Sequence, residues 1–412
     1  MKYFLLGRNI KNSPSPQIHE KFGLNYSVWE VTEAEIPSIL SDKDCGGFNV
    51  TIPFKKTILP YLDGVSENAK NCGCVNVVKR AGDKLLGFNT DVYGMEYMIG
   101  RTGYGLKDKR VLILGGGATK DTATFLAKTQ GAASVDFVSR SGKINYENCY
   151  DLNYTQVIIN ATPVGGESCK DELLADISRF GRLEAVFDCV YSPLKTPLLF
   201  DAEKLGLIAA GGLSMLVKQA ALSYEIWTDK KVSENAVNEV IGELIGQKLN
   251  IVLVGMPGAG KTFVGRLAAQ ALNKKFIDVD REIERVFASS CETIIEKEGE
   301  TAFREKEALV VKRISKETCG AVIATGGGAV ERSENVKALK ANGFVVYVER
   351  ELKLLSSSGR PLSKTRGVQE LFESRKEKYI EAADAVVKND REPDFCVKEI
   401  IRAYENYRDK RA

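Results

Sequence analysis

Histidine is almost missing from this chain: His19 is the only one in 412 residues. A multi-histidine metal site, or a histidine base or triad in each half, is therefore excluded by count. Proton transfer falls instead to Lys, Asp, Glu, Tyr or Cys. No apolar run reaches the ~18 residues that a membrane helix needs. The opening Met1-Lys-Tyr-Phe-Leu-Leu-Gly7 is too short for a signal-peptide core. A strong charge excess is lacking too. Up to Gln247, 27 Lys and Arg stand against 29 Asp and Glu; after it, 31 stand against 26. Neither half carries the basic surplus of a nucleic-acid binder. Nine cysteines occur without zinc-like pairs, and Cys72-Gly-Cys74 is their only close spacing. Reduced thiols in a cytoplasmic chain are the expectation.

What is present is a repeated alternation of short apolar strands and amphipathic helices, long enough for two or three domains. Lys2–Leu6, Gly47–Thr51, Cys74–Val78, Arg110–Leu114, Ser134–Val138, Val157–Asn160 and Ala185–Cys189 read as strands. Helices are expected near 119–129, 214–228 and 234–244. A Rossmann-like half with parallel strands follows from this order. A second unit starts at strand Ile251–Val254. Only Ile245-Gly-Gln-Lys-Leu-Asn250 precedes it, a junction with none of the Pro or Ser of a flexible linker.

The second unit opens on Gly255-Met-Pro-Gly-Ala-Gly-Lys-Thr262, a complete phosphate-binding loop at a strand–helix junction. Gly258 and Gly260 let backbone N–H groups face phosphate oxygens, Lys261 reaches the β/γ-phosphates, and Thr262 holds Mg²⁺. Phe276-Ile-Asp278-Val-Asp280 ends the next strand with two carboxylates, placed two residues apart and so on the same face. One would serve Mg²⁺ through water and the other an acceptor hydroxyl; a solvated strand end or helix N-cap is the alternative. Arg304 and Arg375 are the residue type that grips carboxylates. Gly326-Gly327-Gly328 allows close backbone approach to a ligand. Residues 356–367, rich in Ser, Gly, Lys and Arg, read as a mobile loop.

Over Leu249–Ala412 these features resemble shikimate kinase. The phosphate loop, Asp-x-Asp, Phe303-Arg304-Glu-Lys-Glu307, triple glycine, lid Arg360-Pro361-Leu362 and the late Leu371, Arg375, Tyr379 appear in the family's order. The resemblance implies that Arg304, Arg375 and Gly327 hold shikimate. It makes Asp280 the contact of the ring hydroxyls and acceptor of a proton, and gives Asp278 a supporting role for Mg²⁺. Arg360 would close over ATP phosphates, with in-line phosphoryl transfer.

The first half carries Val111-Leu-Ile-Leu-Gly115-Gly-Gly117-Ala118, a dinucleotide turn whose third fingerprint glycine is replaced by Lys120. The next strand leads to Ser139-Arg140-Ser141 rather than to an acid, which favours NADP over NAD. Ahead of it stand Ser13-Pro-Ser15-Pro, Asn49-Val-Thr51-Ile-Pro-Phe-Lys55 and Asn89-Thr90-Asp91, together a polyol-binding set with a lysine–aspartate proton pair.

From about Lys2 to Gly246 this half resembles shikimate dehydrogenase. Asn160-Ala-Thr-Pro-Val-Gly165, Asp188-Cys-Val-Tyr191-Ser-Pro193 and Met215-Leu-Val-Lys-Gln219 complete the motif string. By resemblance Ser13, Ser15, Thr51, Asn76, Asp91, Tyr191 and Gln219 bind substrate, and Lys55 and Asp91 are the catalytic pair. Gly115, Gly117, Ala118, Arg140, Thr162 and Gly212 contact the cofactor. Asn12, Val77, Ala118 and Gly166 depart from the family's usual histidine, threonine, glycine and methionine.

The expected architecture is α/β throughout: a substrate-binding domain from 1–92 and 211–247, a Rossmann NADP domain at 93–210, and a P-loop kinase domain with a parallel sheet at 248–412. The expected function is bifunctional. NADPH-dependent reduction of 3-dehydroshikimate is followed by phosphorylation of shikimate with ATP and Mg²⁺, with small molecules as the only ligands. The alternative is an active kinase behind a first half that is non-catalytic or prefers quinate.

Overall fold

The computed structural model describes residues 1–167, 173–355 and 367–411. The chain divides into two compact units, Met1–Ile241 and Gly242–Ala412. Arg360 and nearly all of the expected mobile loop fall outside the described residues.

The first unit contains two sheets. One has strand order β2-β1-β3-β5-β6-β4, from β1 (Lys2–Gly7), β2 (Tyr26–Glu30), β3 (Cys45–Val50), β4 (Gly64–Val65), β5 (Val77–Ala81) and β6 (Lys84–Phe88). This sheet is mixed. β1 runs parallel to β2 and β3, whereas β5 pairs antiparallel with β3 and β6. The β5–β6 hairpin turns at Gly82, whose φ of +63° suits a tight two-residue connection. β5 starts three residues later than the sequence pattern predicts. Gly73 ends helix Glu67–Cys72 in a left-handed cap, and Val75 then bonds to the Lys55 carbonyl at 2.8 Å. The stretch before Val77 is committed to holding the Lys55 loop.

The other sheet is parallel, in the order β11-β10-β9-β7-β8. Its strands are β7 (Arg110–Leu114), β8 (Ser134–Val138), β9 (Val157–Asn160), β10 (Ala185–Asp188) and β11 (Ile208–Gly211). Val111, Leu112, Ile113 and Leu114 are all buried, as expected of a central strand covered on both faces. Helices Asp91–Gly100 and Leu213–Thr228 pack closely at Gly94, where a Cβ would sit 2.7 Å from the Met215 carbonyl. That contact fixes the two helices that carry Asp91 and Gln219.

The second unit is built on a parallel sheet, β13-β14-β12-β15-β16. It comprises β12 (Asn250–Val254), β13 (Lys275–Asp278), β14 (Ala321–Ala324), β15 (Gly343–Glu349) and β16 (Ala385–Lys388). Helix Glu234–Lys248 runs four residues beyond its expected end, leaving Leu249 alone before β12. The expected placement of Asp278 and Asp280 on one strand face is wrong. Asp278 ends β13 and caps helix Val279–Phe287, so Asp280 lies in that helix's first turn. Among the described residues no helix is long and apolar enough to cross a membrane.

Candidate active sites

Lys55 follows β3 and Asp91 opens helix Asp91–Gly100; Lys55 Nζ donates to Asp91 Oδ2 at 2.6 Å. Asn76 is the hub beside them. Its Nδ2 donates to Asp91 Oδ1 at 3.0 Å, to Thr90 Oγ1 at 2.9 Å and to Gln219 Oε1 at 3.3 Å. Its Oδ1 accepts the Thr90 N–H at 2.7 Å. The hub is buried, so each of these bonds is expensive to lose. Burial pushes the Lys55 ammonium toward neutrality, but the Asp91 carboxylate outweighs it and holds the lysine above its ordinary range.

Lys55, Asp91, Asn76 and Gln219 thus form one bonded cluster, which the sequence assembled only through its motifs. Ser13 donates to Ser15 at 3.0 Å at the start of helix Ser15–Lys21, and Thr51 bonds through its backbone to Leu6. Tyr191 is half-buried on the turn after β10. Among the described residues no hydrogen bond joins Ser13, Ser15, Thr51 or Tyr191 to the cluster. Sequence reasoning missed the layer behind it. Asn49 bonds to Ser223 at 3.0 Å and to the Asn76 carbonyl at 3.1 Å, and accepts from Tyr26 at 2.7 Å. His19 stacks on Tyr26 and lies 3.2 Å from Asn49 Oδ1. The only signal was Asn49 itself, inside a motif read for Thr51 and Lys55.

The dinucleotide turn lies between β7 and helix Ala118–Thr129. Gly117 caps that helix with no side-chain hydrogen bond, so the first-turn N–H groups suit a pyrophosphate. Gly115, at φ +129°, packs against Thr162, whose hydroxyl bonds to Asn160 at 2.7 Å. Arg140 is exposed just past β8. The Ala118 carbonyl faces Cys74 Sγ. Gly212 has a packing reason of its own: a Cβ there would overlap the Cys189 carbonyl.

In the second unit, Gly258 and Gly260 have φ of +87° and +91°, and Gly260 caps helix Lys261–Ala271 without a side-chain bond. Lys261 is buried against its own loop, donating to the Gly255 and Met256 carbonyls at 2.7 and 3.0 Å. Asn389 braces the loop by donating to the Ala259 carbonyl at 2.7 Å. Thr262 Oγ1 donates to Asp278 Oδ2 at 2.8 Å. This hydroxyl–carboxylate pair suits a hard cation. No group of three His, Cys, Asp or Glu able to hold a metal occurs among the described residues. A Mg²⁺ here would draw its other ligands from water and phosphate.

A cleft of about 560 Å³ runs from this loop past Asp280, Arg304, Glu307, Gly326–Gly328 and Arg375. Burial, reinforced by Glu307 and Asp278, pushes the Asp280 carboxyl up to about 6. Arg304 donates to Glu307 at 2.7 Å, and a Cβ on Gly328 would overlap its guanidinium. Leu371, Arg375 and Tyr379 are all buried at four-residue spacing on helix Val368–Ala382. The Tyr379 hydroxyl bonds to the Gly327 carbonyl. Arg304 and Arg375 converge on a residue the sequence did not single out, Glu331, at 3.3 and 3.0 Å.

Comparison with known proteins agrees with this division. The model of the shikimate dehydrogenase substrate-binding domain matches residues 5–78, and that of the shikimate 5'-dehydrogenase C-terminal domain matches 212–241. The shikimate kinase model matches 257–405. Shikimate dehydrogenase (NADP(+)) of Staphylococcus epidermidis is 35% identical over 270 residues, covering 60% of this chain and 100% of that protein. The Caldicellulosiruptor saccharolyticus protein of the same name is 32% identical, covering 59% and 98%. A chorismate mutase/shikimate 5-dehydrogenase fusion from Clostridium acetobutylicum superposes with TM-score 0.56 at 32% identity, covering 59% of this chain and 96% of that one. Shikimate 5-dehydrogenase from Thermus thermophilus, solved with NADP(H) and shikimate, gives TM-score 0.52 at 30% identity, covering 58% and 98%.

Proposed function

We infer, for a chain that belongs to the shikimate dehydrogenase family and carries a shikimate kinase domain behind it, that the clusters around Lys55 and Asp280 are its two catalytic centres. The enzyme is bifunctional: it reduces 3-dehydroshikimate with NADPH and phosphorylates shikimate with ATP. NADPH supplies a hydride and ATP with Mg²⁺ an electrophilic phosphoryl group. We assign 1–92 and 211–247 to substrate binding, 93–210 to NADP binding and 248–412 to the kinase. The three separate sheets support that division.

In the first centre Lys55 stays a cation beside Asp91. It gives its proton, directly or through water, to the carbonyl oxygen that becomes the 3-hydroxyl, and stabilises negative charge there meanwhile. Asn76 and Gln219 orient ring hydroxyls together with Ser13, Ser15, Thr51 and Tyr191. Gly115, Gly117, Ala118, Thr162 and Gly212 line the cofactor side, and Arg140 takes the 2′-phosphate. In the second centre Asp280 accepts the proton of the attacking hydroxyl, Arg304 and Arg375 hold the acceptor carboxylate, and Lys261 and Arg360 neutralise phosphate charge. Thr262 and Asp278 hold Mg²⁺. The cytosol, where both cosubstrates are plentiful, is the proposed location.

The observation that carries this reading is the Lys55–Asp91 bond inside the Asn76 hub, because a merely binding module needs no buried proton pair. The test supplies 3-dehydroshikimate, NADPH and ATP–Mg²⁺ together and follows NADPH loss and ADP release. Both should proceed, with ADP release lagging until shikimate accumulates. ADP release on added shikimate without any NADPH loss would reduce the first half to a non-catalytic module.

A further inference from the structure

Glu331 lies just past the triple glycine, at the end of a short 3₁₀ turn, Ala329–Glu331. Its carboxylate divides between two arginines. Oε2 sits 3.3 Å from Arg304 Nε, and Oε1 accepts from Arg375 Nε at 3.0 Å. Both arginines are buried and line the cleft beside Asp280, whereas Glu331 does not line it. The Nη nitrogens are left for other partners. Those of Arg304 go to Glu307 at 2.7 Å and Glu300 at 3.4 Å. Arg375 Nη2 is buried with no hydrogen-bond partner, and so are Glu307 Oε1 and Arg304 Nε, whose contact with Glu331 is an ion pair without a hydrogen bond. Two buried cations side by side repel one another, and a donor without an acceptor is costly. A single carboxylate that pairs in charge with Arg304 and accepts from Arg375 Nε reduces the first cost and fixes the Arg375 guanidinium in place.

We propose that Glu331 is a positioning residue of the kinase centre: by pairing in charge with Arg304 and accepting from Arg375 Nε it sets their spacing and leaves an Arg375 Nη donor for the carboxylate of the incoming acceptor. The proposal rests on the reading of the two arginines as the acceptor-carboxylate clamp. It makes the clamp a preassembled unit of three residues, in which the protein's own carboxylate orients the cations that receive the substrate's.

Glu331→Gln is the discriminating change. It keeps the shape, but an amide offers one acceptor oxygen, and its NH₂ faces the other Nε–H donor to donor. The KM for shikimate should rise roughly 10-fold or more, with kcat within a factor of about three and the KM for ATP steady. In an Arg375→Ala background the same change should add less than it does alone. A fall in the shikimate KM would mean that Glu331 competes with the substrate, and would overturn the proposal. So would an unchanged KM, or a rise in both KM values in step with a lowered Tm, which would mark a structural role only. Failure of the underlying clamp looks different: Arg304→Ala and Arg375→Ala would then leave the shikimate KM unaltered.

Discussion

Lys55 and Asp91 stand 36 positions apart in the chain and meet at 2.6 Å, a part-buried pair against the buried Asn76. Lys55→Met should slow turnover by the reductase roughly 10²–10⁴-fold and leave shikimate phosphorylation intact. Asp91→Asn is more telling. With Asp91 present, Lys55 titrates above its ordinary range, so reduction should lose no activity to lysine deprotonation below about pH 10. Without the carboxylate, burial is the largest influence left on the ammonium and pushes it down. The alkaline limb of the pH–rate profile should then move toward neutrality.

Asp280 has the opposite electrostatic history, with its carboxyl pushed up to about 6 by burial and by Glu307 and Asp278. As the group that receives a proton it must be ionised. The kinase kcat/KM should therefore fall with unit slope below about pH 6, while the reductase shows no such limb. Because its folded pKa is raised, ionising Asp280 weakens the fold above the unfolded value near 4. Asp280→Asn should abolish phosphorylation yet raise Tm by a few degrees at pH 7. That gain should vanish as the pH is lowered to about 4.

Asp278 serves both as helix cap and as partner of Thr262, and two substitutions separate these roles. Asparagine is also a good N-cap, so Asp278→Asn should keep the Tm while raising the Mg²⁺ needed for half-maximal kinase activity. Asp278→Ala should lower the Tm as well as raise the Mg²⁺ requirement, the lost cap being worth about 1 kcal/mol. Equal Mg²⁺ requirements in wild type and Asp278→Asn would remove Asp278 from the metal's surroundings.

Arg140 is an exposed guanidinium at the end of β8. Arg140→Gln should raise the KM for NADPH about 10-fold or more, since a phosphate loses its fork of donors, and should leave the KM for NADH unchanged. A parallel loss with both cofactors would assign Arg140 to folding.

These residues differ in how legible they were. The parallel strands β7 and β12 announced themselves as continuous apolar runs ending in glycines, because a strand covered on both faces has no polar side. The β5–β6 hairpin did not, because the residues before Val77 are spent on the Lys55 loop. Asp278 and Asp280 misled because a two-residue spacing means one face only if the strand persists, and here a helix begins between them. Lys55 and Asp91 were identifiable through motifs, but their meeting across 36 positions is a property of the fold. Glu331 gave no signal at all. In Ala-Val-Glu-Arg-Ser it looks like any surface acid, and only the buried arginines on two distant helices give it a purpose.

The lone histidine has a consequence for the protein in acid. His19 is fully enclosed, and burial lowers its pKa to about 3. The unfolded chain takes up a proton on this ring below about pH 6.5, and the folded chain does not. Acidification therefore drains stability from the first unit between those two values. Over part of the same interval, protonation of Asp280 relieves the second unit, and protonation of Asp188, whose carboxyl burial also pushes up to about 6, relieves the first. One polypeptide thus carries buried groups of opposite sign, His19 weakening the fold as the pH falls and the two carboxyls strengthening it over part of that range.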